Sequence, residues 1–216
     1  MHIDRLHLRL AARRRASALA RFDAEICYAR LRELAATLDG QSWMVVSGLV
    51  EPLTSGRFTR AHSDIDIAIP REGLDAAAAA LLRAGYTLTT RLLRTHLTGD
   101  LDVEVHRRAR PGPLLRRCRR LRIWRLTVDG ELDERAVPSY VDVFPYVLDG
   151  RRIWIPDCGQ SLEVRRPLVV QVSLPGGVTI PVEDPYYVEA LRRSRDTLHN
   201  EGRLESEPTA SAIQDG

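Results

Sequence analysis

Ser47-Gly48-Leu49-Val50-Glu51-Pro52-Leu53-Thr54-Ser55-Gly56-Arg57-Phe58-Thr59-Arg60-Ala61-His62-Ser63-Asp64-Ile65-Asp66-Ile67 is the stretch that decides the fold. Just ahead of it, Trp43-Met44-Val45-Val46 reads as a buried strand that runs into Ser47-Gly48. A short helix over 49–55 follows, with Pro52 in its first turn, where a missing amide donor does little harm. Residues 63–69 alternate strictly between polar and apolar and predict a second strand. Residues two apart on a strand share a face, so the carboxylates of Asp64 and Asp66 point the same way. Ile65 and Ile67 point oppositely, into the core. Two neighbouring carboxylates on a rigid strand repel each other, and a divalent cation between them removes that repulsion. Mg2+ (or Mn2+) suits such a place, since it takes one or two carboxylates together with the phosphates of a bound nucleotide. Ser47-Gly48 lies between strand and helix, where backbone amides can meet a phosphate. Arg57 and Arg60 can neutralise more of its charge through forked hydrogen bonds.

Working outward, Leu19, Phe22, Ile26, Leu31, Leu34 and Leu38 recur at helical spacing and predict one helix over about 5–38, ended by Asp39-Gly40. Downstream, 72–83 reads as an alanine-rich helix, and 86–96 and 101–106 as strands. Residues 141–148 and 151–155 flank Asp149-Gly150, a hairpin signal. Residues 168–174 and 178–182 make another around Pro175-Gly176-Gly177. Asp184 can cap a last helix that starts with Pro185 and runs to about 199. The pattern predicts an α+β fold, a small mixed sheet flanked by helices with a C-terminal β-hairpin and helix.

The segment 47–67 resembles the signature of the nucleotidyltransferase superfamily, the DNA polymerase beta-like fold: a Gly-Gly or Gly-Ser turn, a short helix, then Asp-x-Asp on a strand. Its wording is similar to the aminoglycoside and lincosamide nucleotidyltransferases, with Ser47 standing where those enzymes usually carry glycine. The resemblance implies a third carboxylate from a later strand, as metal ligand or general base, and two segments offer one. In Leu101-Asp102-Val103-Glu104-Val105-His106, Asp102 matches the aminoglycoside adenylyltransferases, and Asp102, Glu104 and His106 share a strand face. Tyr140-Val141-Asp142-Val143-Phe144-Pro145 resembles the Asp-Ile-Phe-Pro motif of the LicD/fukutin family. The later order of glycine, short strand, proline and helix around Pro185 also fits that family, so Asp142 is preferred. The resemblance implies a metal at Asp64, Asp66 and Asp142, with Ser47, Gly48, Arg57 and Arg60 on the donor phosphates. A LicD-like enzyme would move a phospho-linked group from a CDP-alcohol to a glycan. The alternative is an adenylyltransferase using ATP on a small hydroxylated molecule. A third reading is a non-catalytic member or half of a toxin–antitoxin pair. On this reading residues 1–40 form an N-terminal helical segment, 41–199 the catalytic domain, and 200–216 a disordered tail.

Composition narrows the chemistry further. The 216 residues are 44% apolar and 28% charged, enough for a proper core. All 32 basic residues are arginine. Without lysine, the usual P-loop, the protein-kinase strand lysine and Schiff-base catalysis are excluded. Three separated cysteines without a Cys-x-x-Cys pair argue for a reducing, cytoplasmic setting and against structural zinc. No apolar run is long enough to cross a bilayer. Residues 107–125 carry nine arginines but only Trp124 as an aromatic, which argues against a nucleic-acid stacking surface; the segment reads as a solvated helix, with a site for a nucleotide triphosphate or a phosphorylated glycan as the alternative.

Overall fold

The computed structural model describes residues 8–14, 19, 21–96, 101–125, 133 and 137–200. Its first strand, β1 (Leu8–Arg14), pairs antiparallel with β5 (Leu101–Arg108), and α1 (Ala24–Thr37) follows. The single helix predicted over 5–38 is therefore a strand and a shorter helix. Helical spacing loses at the start because the outer edge of β5 offers backbone hydrogen bonds that only an extended chain can take. Asp23 then starts the helix, its Oδ1 accepting the Glu25 amide at 2.8 Å.

The sequence-predicted core elements appear in order: β2 (Met44–Val45), α2 (Val50–Ser55), β3 (Asp64–Pro70) and α3 (Leu74–Arg83). Next come β4 (Thr87–His96), β6 (Leu121–Trp124), β7 (Tyr140–Asp149), β8 (Arg152–Ile155) and β9 (Gln160–Glu163). The hairpin β10 (Val169–Ser173) and β11 (Thr179–Glu183) leads into α4 (Pro185–Asn200). Asp184 caps α4 as expected, accepting the Tyr186 amide at 2.9 Å. Among the described residues these strands form one sheet in the order β1-β5-β4-β6-β7-β3-β2-β11-β10, with β8 and β9 as a ribbon off β7. The pairs β3–β7 and β2–β11 are parallel and the rest antiparallel, so the sheet is mixed.

The strict alternation of β3 splits its two faces. Ile65 and Ile67 are fully buried with Leu31 and Leu34 of α1, Val50 of α2, Leu81 of α3 and Val143 of β7. Each such side chain contributes about 1.5–3 kcal/mol by burial, which holds the three helices on this face. The opposite face carries Asp64 and Asp66, then Ala68. There a smaller cluster of Met44, Ala68, Tyr146 and Ile153 joins the floor of the sheet to the β8–β9 ribbon. Residues 107–125 are not a solvated helix: β5 ends there and β6 lies inside the sheet between β4 and β7. No helix among the described residues is long and apolar enough to cross a membrane. Of the tail expected to be disordered over 200–216, Asn200 is the last residue of α4, and 201–216 lie outside the described residues.

Candidate active site

Parallel pairing of β3 with β7 sets Asp66 directly opposite Asp142. One oxygen each from Asp64, Asp66 and Asp142 lies within 4.8 Å of the others. Asp64 and Asp66 are half-buried and Asp142 is buried. Asp64 is held from both sides, accepting hydrogen bonds from the Ser63 hydroxyl at 3.1 Å and the Tyr140 hydroxyl at 3.1 Å. Burial and the charges of Asp64 and Asp142 push the Asp66 carboxyl up to about 8, against which a bond from the Ser47 hydroxyl and the charge of Arg120 act. Three carboxylates this close resist full ionisation without a cation. A set of hard oxygens at this spacing fits a divalent ion such as Mg2+ or Mn2+.

The turn beside the trio is built as the sequence implies, with one addition. Ser47 has φ +63°, a left-handed conformation that glycine adopts freely and serine adopts at a cost. At Gly48 the guanidinium of Arg60 comes close: a Cβ there would stand 2.6 Å from Nη2 of Arg60, the far end of a flexible side chain. Arg60 thus lies against the turn and lines the cavity, whereas Arg57 is outside its lining, and both are exposed. Glu183 on β11 accepts the Ser47 amide, and burial pushes its carboxyl up to about 7. His62 packs on Phe22 and Phe58 below Gly48, and burial and Arg60 lower it to about 4, so the ring is neutral.

Behind Asp142 stands a buried ionic network that sequence reasoning missed. Arg122 donates Nε to Oδ1 of Asp142 at 2.7 Å and Nη2 to Oδ2 at 3.1 Å. Its Nη1 bonds Glu104, and its guanidinium lies 3.7 Å from the Tyr140 ring centroid. Glu104 also takes bonds from Arg91 at 3.2 Å and His106 at 3.1 Å. Burial raises Glu104, but the His106 bond and the charges of Arg122, His106 and Arg91 outweigh it and hold Glu104 well below the usual range. Glu104 is therefore a partner of Arg122 and not a member of the trio. The Asp102 side chain lies outside the described residues. Its strand β5 is separated from β3 by β4, β6 and β7.

A cavity of about 810 Å³ opens over the trio. Its lining includes Ser47, Gly48 and Arg60 and the apolar Phe144, Tyr146, Ile153 and Ile155. Arg120 lines it as well. Its Nη1 is 3.7 Å from Asp142, its guanidinium lies 4.6 Å from the Phe144 ring centroid, and Asp157 grips it at 2.6 and 3.2 Å. Nothing in the local pattern of an arginine-rich stretch separates Arg120 and Arg122 from their exposed neighbours. The missing signal is their partners, Asp142 and Asp157, which lie far along the chain.

No family model and no curated protein matches the chain. Solved structures similar to it include two described as an adenylyltransferase and a nucleotidyltransferase. One is the lincosamide antibiotic adenylyltransferase LnuA with lincomycin bound, at 14% identity over 79% of this chain and 85% of that one, TM-score 0.45. The other is a candidate nucleotidyltransferase from Thermotoga maritima, at 16% identity over 84% of this chain and 91% of that one, TM-score 0.47. Neither is described as a LicD/fukutin protein, so the preference for that family finds no support among them.

Proposed function

We propose that this chain is a metal-dependent nucleotidyltransferase that moves the nucleotidyl group of a nucleoside triphosphate, ATP first among them, onto a hydroxyl of a small molecule. The observation that carries the reading is the trio of Asp64, Asp66 and Asp142 beside Ser47-Gly48 on the floor of one cavity. A cavity of about 810 Å³ also falls in the size range of small-ligand sites. The acceptor oxygen would bond to the α-phosphorus while the bond from that phosphorus to the bridging oxygen breaks. Pyrophosphate leaves, and the hydroxyl proton passes to solvent. When bound at Asp64, Asp66 and Asp142, a Mg2+ or Mn2+ ion supplies Lewis-acid stabilisation of the phosphate charge.

The chain's own residues do the positioning. Ser63 and Tyr140 fix Asp64, Ser47 fixes Asp66, and Arg122 fixes Asp142 in one orientation. With both oxygens bonded to Arg122, Asp142 is better suited to complete a metal site than to swing toward a hydroxyl. Arg60, against Gly48, offsets charge on the leaving phosphates, and Arg120 faces the charge that builds near Asp142. The three cysteines are free, which suits a reducing compartment.

Thermal melting of the full chain with ATP, CTP, GTP, UTP or CDP-choline, each with and without Mg2+, tests this reading. ATP is expected to stabilise the protein only when Mg2+ is present, and Asp66→Asn to remove the effect. No Mg2+-dependent shift with any nucleotide would overturn the proposal. A second reading, a CDP-alcohol donor and a glycan acceptor, is favoured by one observation: Asp142 enters the site just ahead of Phe144-Pro145, the order that resembles LicD proteins. Stabilisation by CDP-choline and not by ATP would put that reading first.

A further inference from the structure

The turn between β8 and β9, Pro156-Asp157-Cys158-Gly159, is tied to the sheet because Ile153 of β8 is buried with Met44, Ala68 and Tyr146. Its Asp157 lines the cavity and takes one edge of the Arg120 guanidinium, with Nε donating to Oδ1 at 3.2 Å and Nη2 to Oδ2 at 2.6 Å. The Phe144 ring, 4.6 Å from the guanidinium, bounds its flat side. What remains is Nη1, which stops 3.7 Å from Oδ2 of Asp142, beyond hydrogen-bond reach. That gap matters to a cation. A carboxylate has about four lone-pair sites, and Arg122 already occupies two of those on Asp142. An Arg120 that closed the gap would take a third and set a fixed positive charge among Asp64, Asp66 and Asp142. Arginine cannot leave by losing its proton. A hard divalent ion needs the same oxygens and the same negative charge, so a freed Arg120 competes with it.

We propose that Asp157 is a positioning residue that keeps the metal site open by holding Arg120 off the three carboxylates. The inference rests on the metal-binding reading of the trio and adds a residue outside it that sets its affinity. Losing the Asp157 charge would by itself weaken cation binding somewhat, whether or not Arg120 is present. Losing its grip acts only through Arg120, so a double-mutant cycle separates the two effects.

Binding of Mn2+ alone to the full chain, followed by electron paramagnetic resonance, tests it with Asp157→Asn, Arg120→Met and the double variant. Asp66→Asn, which should abolish binding, reports that the ion counted is the one at the trio. Asp157→Asn is expected to weaken Mn2+ binding about tenfold or more, and Arg120→Met to tighten it. The same Asp157→Asn change made in the Arg120→Met background should alter affinity by less than about twofold. The proposal is overturned if Asp157→Asn leaves affinity unchanged, or weakens it equally in both backgrounds, as a plain turn residue or a distant charge would. It is also overturned if Arg120→Met weakens Mn2+ binding, an arm that stands even where Asp157→Asn does not fold. Wild-type protein that binds no Mn2+, or binds it no better than Asp66→Asn, is a separate result that refutes the metal site itself, and this proposal with it.

Discussion

Ser47 combines two demands that conflict in one residue. Its backbone sits at φ +63°, while its hydroxyl donates to Asp66. A non-glycine residue there costs about 1–2 kcal/mol, and a hydrogen bond returns about 0.5–1.5 kcal/mol. Ser47→Gly should therefore change stability by less than about 1 kcal/mol, whereas Ser47→Val, branched at Cβ and without a donor, should lose about 2 kcal/mol or more. Urea unfolding of both variants checks this, and equal losses would show that the turn carries no backbone strain. At Asp64 and Asp66 the expectation concerns turnover. Either Asp→Asn change keeps size and removes charge, so activity should fall by about a hundredfold to a thousandfold or more, while the metal-free protein melts at a higher temperature. Undiminished turnover in either variant would remove the metal site from the mechanism. These two residues were legible because a two-residue period on a strand needs only local sequence. The left-handed backbone at Ser47 was not, because serine itself carries no signal of positive φ.

Strand β6 shows where local reading stops. Leu121-Arg122-Ile123-Trp124 is four residues long and fully buried, with an arginine in the middle. Set among nine arginines it reads as a charged surface segment, because what makes Arg122 an interior residue is Asp142 across β7 and Glu104 across β4. The same limit hid β1, whose pairing with β5 is a long-range backbone matter. The hairpins β7–β8 and β10–β11 and the cap at Asp184 were legible, since turn and cap residues act on their neighbours. Removing Arg122 takes away the guanidinium that Asp142 and Glu104 share, leaving buried Asp142 with only the longer contact to Arg120 at 3.7 Å. Arg122→Met should therefore cost about 3–5 kcal/mol, and Arg122→Lys should recover only part of it, because an ammonium cannot reproduce the paired bonds to Asp142. Denaturant midpoints of the two variants measure this. A loss in Arg122→Met no larger than that of an exposed arginine such as Arg57→Met would refute the network.

The whole molecule is a sheet with one face given to packing and the other to charge, and that division makes stability depend on pH and metal together. Asp66 is held up at about 8 and Glu183 at about 7, against ordinary values of 3.8 and 4.5. Between those ordinary values and the raised ones the folded chain keeps protons that the unfolded chain has released. Stability therefore falls as pH rises through that window. His62 works the other way: lowered from 6.5 to about 4, it is neutral in the fold, and its contribution is complete above 6.5 and lost as pH falls toward 4. Below pH 6.5 the two slopes oppose each other, so the clean interval is from there to about 8, where Glu183 and then Asp66 give up their protons. A metal-free melting series across this interval should decline, with Glu183→Gln flattening its lower part and Asp66→Asn its upper part. Mg2+ takes the place of the proton on Asp66, so the stabilisation it confers should grow from pH 6.5 to 8 and be absent in Asp66→Asn. A Mg2+ effect that is constant across this interval, or that survives Asp66→Asn, would mean that the cation binds away from the three carboxylates.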